Sequence, residues 1–286
     1  IDTGIYDHPD LAGRIRGFTD LVNGKTAPYD DNGHGTHVAG DAAADGSQSN
    51  APYRGTAHGA DLIGVKVLDR MGSGFLSTVI QGIDWCIKHR EEYRIRVINL
   101  SLGSSASQSY TEDPVCQAVE KAWEQGIVVC AAAGNEGPDQ KTIASPGIDP
   151  IILTIGSVDD HNSTAFSDFT IAPYSSRGPT IDNFIKPDVV APGTAVISLR
   201  SPGSTLDKQN KSARVGSNYL SLSGTSMATP VCSGVVALLL EKFPDLSPYQ
   251  IKQLLMNHAA PLSGVLQTDQ GKGLIDATAA YKANQK

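Results

Sequence analysis

From about residue 60 onward the chain alternates between short, almost uninterrupted apolar runs and longer stretches with helical apolar spacing. This alternation constrains the fold more than any other feature. The runs over 61–67, 94–100, 126–132 and 151–158 have strand length, and Phe75–His89 and Asp113–Glu124 between them have helical periodicity. Strands apolar on both faces need cover on both faces, which a parallel sheet flanked by helices provides. The expected fold class is therefore α/β, a doubly wound, mainly parallel sheet with helices on both faces.

Further along, Met227–Phe243 is apolar nearly all round and reads as a buried helix, with Pro230 expected in its first turn. Ser247-Pro248-Tyr249-Gln250 has the form of a capping box with proline at the first helical position, opening a helix to about His258. Residues 201–218 are polar and read as a surface excursion with hairpin character. No repeat, low-complexity tract or linker divides the 286 residues, so a single domain is expected. Only Ile1 precedes Asp2, where a central strand should end. Part of the first strand is thus expected to be missing, with upstream residues in the native protein.

Composition narrows the partners. A formal net charge of −7 argues against nucleic acid and anionic membrane surfaces, both of which require a basic face. No apolar run reaches the length needed to span a bilayer. The four cysteines, Cys86, Cys116, Cys130 and Cys232, lie inside apolar periodic segments and fit neither a zinc pattern nor a disulfide scaffold. Buried free thiols are the expectation, and they tilt the choice between a secreted and a cytoplasmic protein toward the cytoplasm.

Sites in open parallel sheets form beyond the carboxyl ends of the strands. The polar residues at such ends are Asp2, Ser101 and Asn135, while His34 and Ser226 each stand where a glycine-bearing turn enters a helix. Together they supply a carboxylate, an imidazole, a hydroxyl and an amide, the inventory for acyl transfer. Each also has a plainer reading. Asp2-Thr3-Gly4 serves equally as a turn or as half of an aspartic-peptidase dyad, although no second copy is present. His34 and His37 do not have the spacing and intervening Glu of a zinc pair, and His37 reads as a packed structural histidine. Ser226 could cap a helix, and Asn135 could hold a left-handed turn. The serine context is not the Gly-x-Ser-x-Gly elbow.

Four blocks then converge. Ile1-Asp2-Thr3-Gly4-Ile5 resembles the aspartate motif of subtilases, and Gly33-His34-Gly35-Thr36-His37-Val38-Ala39-Gly40 their histidine motif. Ala132-Ala133-Gly134-Asn135-Glu136-Gly137 resembles the oxyanion segment, and Gly224-Thr225-Ser226-Met227-Ala228-Thr229-Pro230 the serine motif. The resemblance covers essentially the whole chain and implies one subtilase peptidase domain. It implies Ser226 as nucleophile, His34 as general base, Asp2 as its partner and Asn135 as oxyanion donor. Substrate would run along Ser101, Leu102 and Gly103, facing Gly72, Ser73 and Gly74 as an added strand. Ala132, Ala133 and Gly134 would wall the P1 pocket, with Ala144 near its base and Glu136 at the rim. A pocket of that make-up suits a large apolar P1 side chain. Polypeptide substrates, an N-terminal propeptide and a monomeric state are the partner expectations.

Structural calcium is the one cofactor that the resemblance brings in, and the chemistry needs none. Asp10 matches the aspartate ligand of the strong calcium site in secreted subtilisins, but 45–53 lacks the Asn-rich insertion that completes it. A turn carboxylate is the alternative for Asp10. Two competing readings of the chain remain: a catalytically silent peptide-binding module on the same fold, against which the complete triad counts, and the related acid peptidases. Those carry Glu and Asp where this chain has His34 and Asn135.

Overall fold

The computed structural model describes residues 1–283. In chain order its principal elements are β1 (Ile15–Asp20), α1 (His34–Ala43), β2 (Leu62–Lys66), α2 (Leu76–Lys88), β3 (Val97–Leu100), α3 (Pro114–Glu124), β4 (Val128–Ala132) and β5 (Leu153–Asp159). These are followed by β6 (Thr170–Ile171), β7 (Val189–Pro192), β8 (Val196–Leu199), β9 (Arg214–Val215), β10 (Tyr219–Leu222), α4 (Thr225–Lys242) and α5 (Pro248–Asn257). They divide between two compact units, one of Ile1–Ile95 with Ala195–Leu222, the other of Arg96–Thr194 with Ser223 onward.

In the first unit β1 and β2 pair in parallel, and Asp2 adds a parallel bridge to Lys66 on β2. The Asp2 backbone donates to Val65 O at 3.0 Å and accepts from Val67 N at 2.9 Å, so this carboxylate sits on strand-paired backbone. A separate antiparallel sheet has the order β8-β10-β9, and α1 packs on β8. The core beneath it gathers Ile5, Leu11, Ala44, Leu199 and Tyr219.

The segment 201–218 is only partly the hairpin expected. Its first half is a short helix, Thr205–Gln209, because Ser204 caps it by accepting from Asp207 N, and the hairpin is confined to β9 and β10. Asp207 is buried between Arg200 and Arg214, both of which donate to its Oδ1, at 3.0 and 2.7 Å. That gives this polar stretch a fixed interior of its own.

In the second unit β3, β4, β5 and β7 run parallel, with β6 antiparallel against the far end of β5. All five residues of β4 and six of the seven of β5 are buried, as strands covered on both faces must be. α4 lies across β3, β4, β5 and β7, and α3 packs against β4. Each aliphatic side chain fully buried here contributes roughly 1.5–3 kcal/mol. The four cysteines are free and buried, as their apolar settings implied. Ser247 caps α5 in the expected reciprocal box with Gln250.

The position of Pro230 differs from expectation. α4 begins at Thr225, with Gly224 as its N-cap, so Pro230 is the sixth helical residue and lies beyond the first turn. A proline there leaves the carbonyl four residues earlier, that of Ser226, without its intrahelical donor. Ser101 Oγ donates to that carbonyl at 2.8 Å, and this replaces the missing bond.

Candidate active site

The candidate residues fall in two groups. Asp2, His34 and Gly72–Gly74 belong to the first unit; Ser101–Gly103, Ala132–Glu136, Ala144 and Ser226 belong to the second.

His34 is the first residue of α1, and the four leading N–H groups of that helix are all accounted for. His34 N donates to Asn32 Oδ1 at 3.1 Å, Gly35 N to Thr3 Oγ1 at 2.9 Å, Thr36 N to Asp30 Oδ2 at 2.8 Å and His37 N to Gly33 O at 3.3 Å. Asp30, which the sequence reading passed over, also accepts from Thr3 Oγ1, Asn32 N, Gly33 N and Thr36 Oγ1. The run Asp30-Asp31-Asn32 directly before a helix was a capping signal that could have drawn attention to it. Gly35 is obligatory, because a methyl group there would collide with the Gly4 carbonyl and press on Asp2 Cβ.

His34 Nδ1 lies 2.7 Å from Asp2 Oδ1, which also accepts from Thr3 N at 2.7 Å. An ionised carboxylate only accepts, so Nδ1 carries the proton and Nε2 keeps its lone pair. Burial works against the imidazolium, but the charge and hydrogen bond of Asp2 outweigh it, and the His34 pKa is raised above 6.5. The reciprocal effect on Asp2 has the same structure. Burial raises its pKa, yet the charge and hydrogen bond of His34 prevail and hold it below 3.8.

Gly72–Gly74, which the resemblance implies to be the facing strand, carries no strand here; a turn over Asp69–Gly72 leads into it. Asp69 N donates to Ser73 O, and Asp69 Oδ1 accepts from Met71 N and Ser73 N, so both backbone groups of Ser73 are already committed.

In the second unit Ser226 is the second residue of α4. Its N–H belongs to the opening turn, ahead of any intrahelical acceptor. Its Oγ donates to Ser101 O at 3.1 Å, while Ser101 Oγ donates to Ser226 O, a reciprocal pair between the end of β3 and the start of α4. Asn99 Nδ2 donates to Ser101 Oγ at 3.0 Å, and Ser233 Oγ on α4 donates to Asn99 Oδ1 at 2.8 Å. The network fixes the peptide unit that carries Ser226.

Asn135 is oriented by Thr225, another residue to which no role had been given. Thr225 N donates to Asn135 Oδ1 at 2.9 Å and Thr225 Oγ1 at 3.0 Å. A backbone N–H can only donate, so the atom facing it is the amide oxygen and the NH₂ group points away, available as a donor. Ala144 lies between two glycines: its Cβ is 3.3 Å from the place a Gly103 side chain would start and 3.1 Å from that of Gly134. Ala144 N bonds Ala133 O, and Ser104 bridges Ser145. Gly103, Ala133, Gly134 and Ala144 thus lie together, and what they present is backbone and methyl groups. Glu136 is exposed and accepts from Ser105 Oγ at 3.2 Å.

A family model described as the Subtilase family matches residues 1–278. The chain belongs to the subtilase family. Similar members include serine protease AprX of Bacillus subtilis (strain 168), 55% identical over 262 residues that make up 90% of this chain and 59% of that relative. Subtilisin Savinase of Lederbergia lenta is 38% identical over 282 residues, 99% of this chain and 89% of that relative. A thermostable alkaline protease of Halalkalibacterium halodurans is 36% identical, and this subtilase chain spans 65% of its length. Among solved structures, Sphericase superposes with a TM-score of 0.79 at 32% identity, covering 96% of this chain and 89% of that one. The α/β fold read from the alternation of runs, which the resemblance implies to be subtilisin-like, is the fold of this subtilase.

Of the two readings of Asp10, calcium ligand and turn carboxylate, its surroundings fit the second. Asp10 is fully buried, Oδ1 accepts from Ser47 Oγ at 3.0 Å and Gln48 N at 2.9 Å, and Oδ2 accepts from Tyr219 OH at 2.7 Å. Protein donors occupy both oxygens, and among the described residues no cluster of three His, Cys, Asp or Glu side chains could hold a metal ion. Asp10 takes the alternative role, a turn carboxylate.

Proposed function

We propose that this subtilase is a serine endopeptidase whose acyl-enzyme forms on Ser226. The observation that carries the reading is the couple between buried Asp2 and partly exposed His34, which leaves Nε2 of a carboxylate-anchored imidazole as a base. In this reading the Ser226 hydroxyl attacks the scissile carbonyl and gives its proton to His34 Nε2, and Asp2 stabilises the imidazolium. The tetrahedral oxyanion receives hydrogen bonds from the Asn135 amide and the Ser226 N–H. His34 then protonates the departing amine. Water, deprotonated in turn by His34, releases the acyl group. Substrate main chain pairs with Ser101–Gly103, and Gly72 and Gly74 serve the same peptide.

The glycine and alanine lining around Ala144 supports a broad preference for large apolar P1 residues, because it offers space and no buried charge. Glu136, at the exposed rim, would add at most ~1 kcal/mol toward a P1 lysine. Fluorophosphonate labelling followed by peptide mapping tests the chemistry, and a peptide library tests the pocket. Label on Ser226, absent from Ser226→Ala, with Leu, Phe or Tyr preferred at P1, is the expected result. Label elsewhere, turnover by Ser226→Ala at the native rate, or a strict acidic preference would overturn it.

A further inference from the structure

A second carboxylate–imidazole couple lies on the helix that begins with His34. His37 and Asp41 stand one turn apart on α1, and both side chains are essentially fully buried. His37 Nδ1 is 3.0 Å from Asp41 Oδ2. Its Nε2 faces two backbone carbonyls, Leu220 O on β10 at 2.9 Å and Val196 O on β8 at 3.2 Å.

Proton counting decides the state of this pair. Carbonyl oxygens only accept, so Nε2 must carry a hydrogen. In a neutral imidazole that hydrogen is the only one, and Nδ1 would then turn a lone pair toward a carboxylate oxygen. A proton between Nδ1 and Oδ2 removes that repulsion and makes the couple neutral, whether it is drawn as imidazolium–carboxylate or as imidazole–carboxylic acid. Burial raises the Asp41 pKa, against the charge and hydrogen bond of His37, and so favours keeping the proton. Among the described residues Asp41 Oδ1 is also buried with no hydrogen-bond partner of good geometry, an arrangement far less costly for a neutral couple than for a free carboxylate.

We infer that His37 and Asp41 share one buried proton and together act as a positioning couple for His34, clamping α1 to β8 and β10. The clamp has a second strand in Ser198 Oγ, which donates to His37 O at 2.8 Å. His34 and His37 occupy adjacent turns of one short helix, so an α1 that tilts on β8 carries the His34 imidazole with it. The inference rests on the reading of His34 as general base.

The test uses the whole chain. Nitrogen-15 NMR of the imidazoles at pH 7 is expected to show His37 with a hydrogen on Nε2 and a shared, strongly downfield proton at Nδ1, a signal lost in Asp41→Asn. In kinetics, His37→Ala should lower kcat about tenfold or more with KM within about twofold, since small misplacements of catalytic groups act on rate. His37→Gln, whose amide N–H can reach the same carbonyls, should recover most of that loss. Asp41→Asn, able to donate to Nδ1, should keep kcat within about threefold. A plain lone pair on Nδ1 in the NMR experiment, or full kcat in a folded His37→Ala, would overturn the proposal. If His37→Ala fails to fold, failure of His37→Gln to sustain turnover while the shared proton is absent does so instead. Should Ser226→Ala keep native turnover, the reading of His34 fails on its own, and the NMR signature still judges the shared proton.

Discussion

At the residue scale the centre of this subtilase depends on side chains that act by holding other groups in place. The hydroxyl of Ser101 occupies the place of the N–H that Pro230 lacks, and thereby holds the carbonyl of the proposed nucleophile. Ser101→Ala should lower kcat roughly tenfold with little change in KM. Its stability should fall by only about 0.5–1.5 kcal/mol, the usual worth of one hydrogen bond. Adding Pro230→Ala restores a helical N–H and should recover part of the rate. Steady-state kinetics of the three variants check this; a raised KM at native kcat would mean that the hydroxyl serves substrate instead. Asp2, His34, Asn135 and Ser226 stand out as candidates in the sequence because each sits in a compact glycine-marked motif. Thr225 and Asp30 were not, because what they do depends on partners brought near by folding: Asn135, ninety residues from Thr225, and Thr3, twenty-seven from Asp30.

At the element scale the strands and long helices were legible because full burial leaves an unbroken apolar record, as in Val128–Ala132. The boundaries were not. Starting the long helix at Met227 instead of Thr225 placed Pro230 in the first turn and hid the need for an outside donor. The strand at Gly72–Gly74 was implied by the resemblance alone, and the Asp69 side chain that holds the turn leading into it leaves no periodic trace. The turn Pro9–Leu11, the loop at 47–48 and β10 are joined through Asp10, for which a calcium ligand and a turn carboxylate were both open readings. Tyr219→Phe removes one of the three donors to that buried carboxylate and should cost about 1–3 kcal/mol. Urea unfolding should give the same loss with calcium or with chelator. A calcium-dependent stabilisation of the native chain that Asp10→Asn abolishes would show that the carboxylate binds metal after all.

At the scale of the whole molecule, buried ionisable groups set a stability optimum in pH. Lys186 is completely enclosed, donating to Ile152 O, Thr154 Oγ1 and Asp188 Oδ2. Burial, followed by the charge of Lys252 and against that of Asp188, pushes its pKa down to about 7 from 10.5. Between those values the unfolded chain holds the extra proton, so stability rises with pH across that window. The thiols act in the opposite sense. Burial pushes Cys86 up to about 11 from 9.0, burial likewise raises Cys116, and a hydrogen bond that the Cys232 thiol donates to Cys130, with burial, raises Cys232. Above pH 9 the unfolded thiols ionise first, and stability is lost as pH climbs toward the folded values. Tyr29 and Tyr219, raised chiefly by burial to about 12, extend that loss above pH 10. His34 opposes Lys186 at the lower edge, because its raised pKa gives stability that is complete below 6.5 and fades as pH passes the folded value. One rising contribution therefore meets several falling ones, and urea midpoints should peak between about pH 8 and 9. Lys186→Met should flatten the rise from pH 7, and Cys86→Ala should soften the decline above pH 9. Midpoints that fall steadily from pH 7 in the native chain, with Lys186→Met parallel to it, would show that Lys186 stays charged in the folded interior.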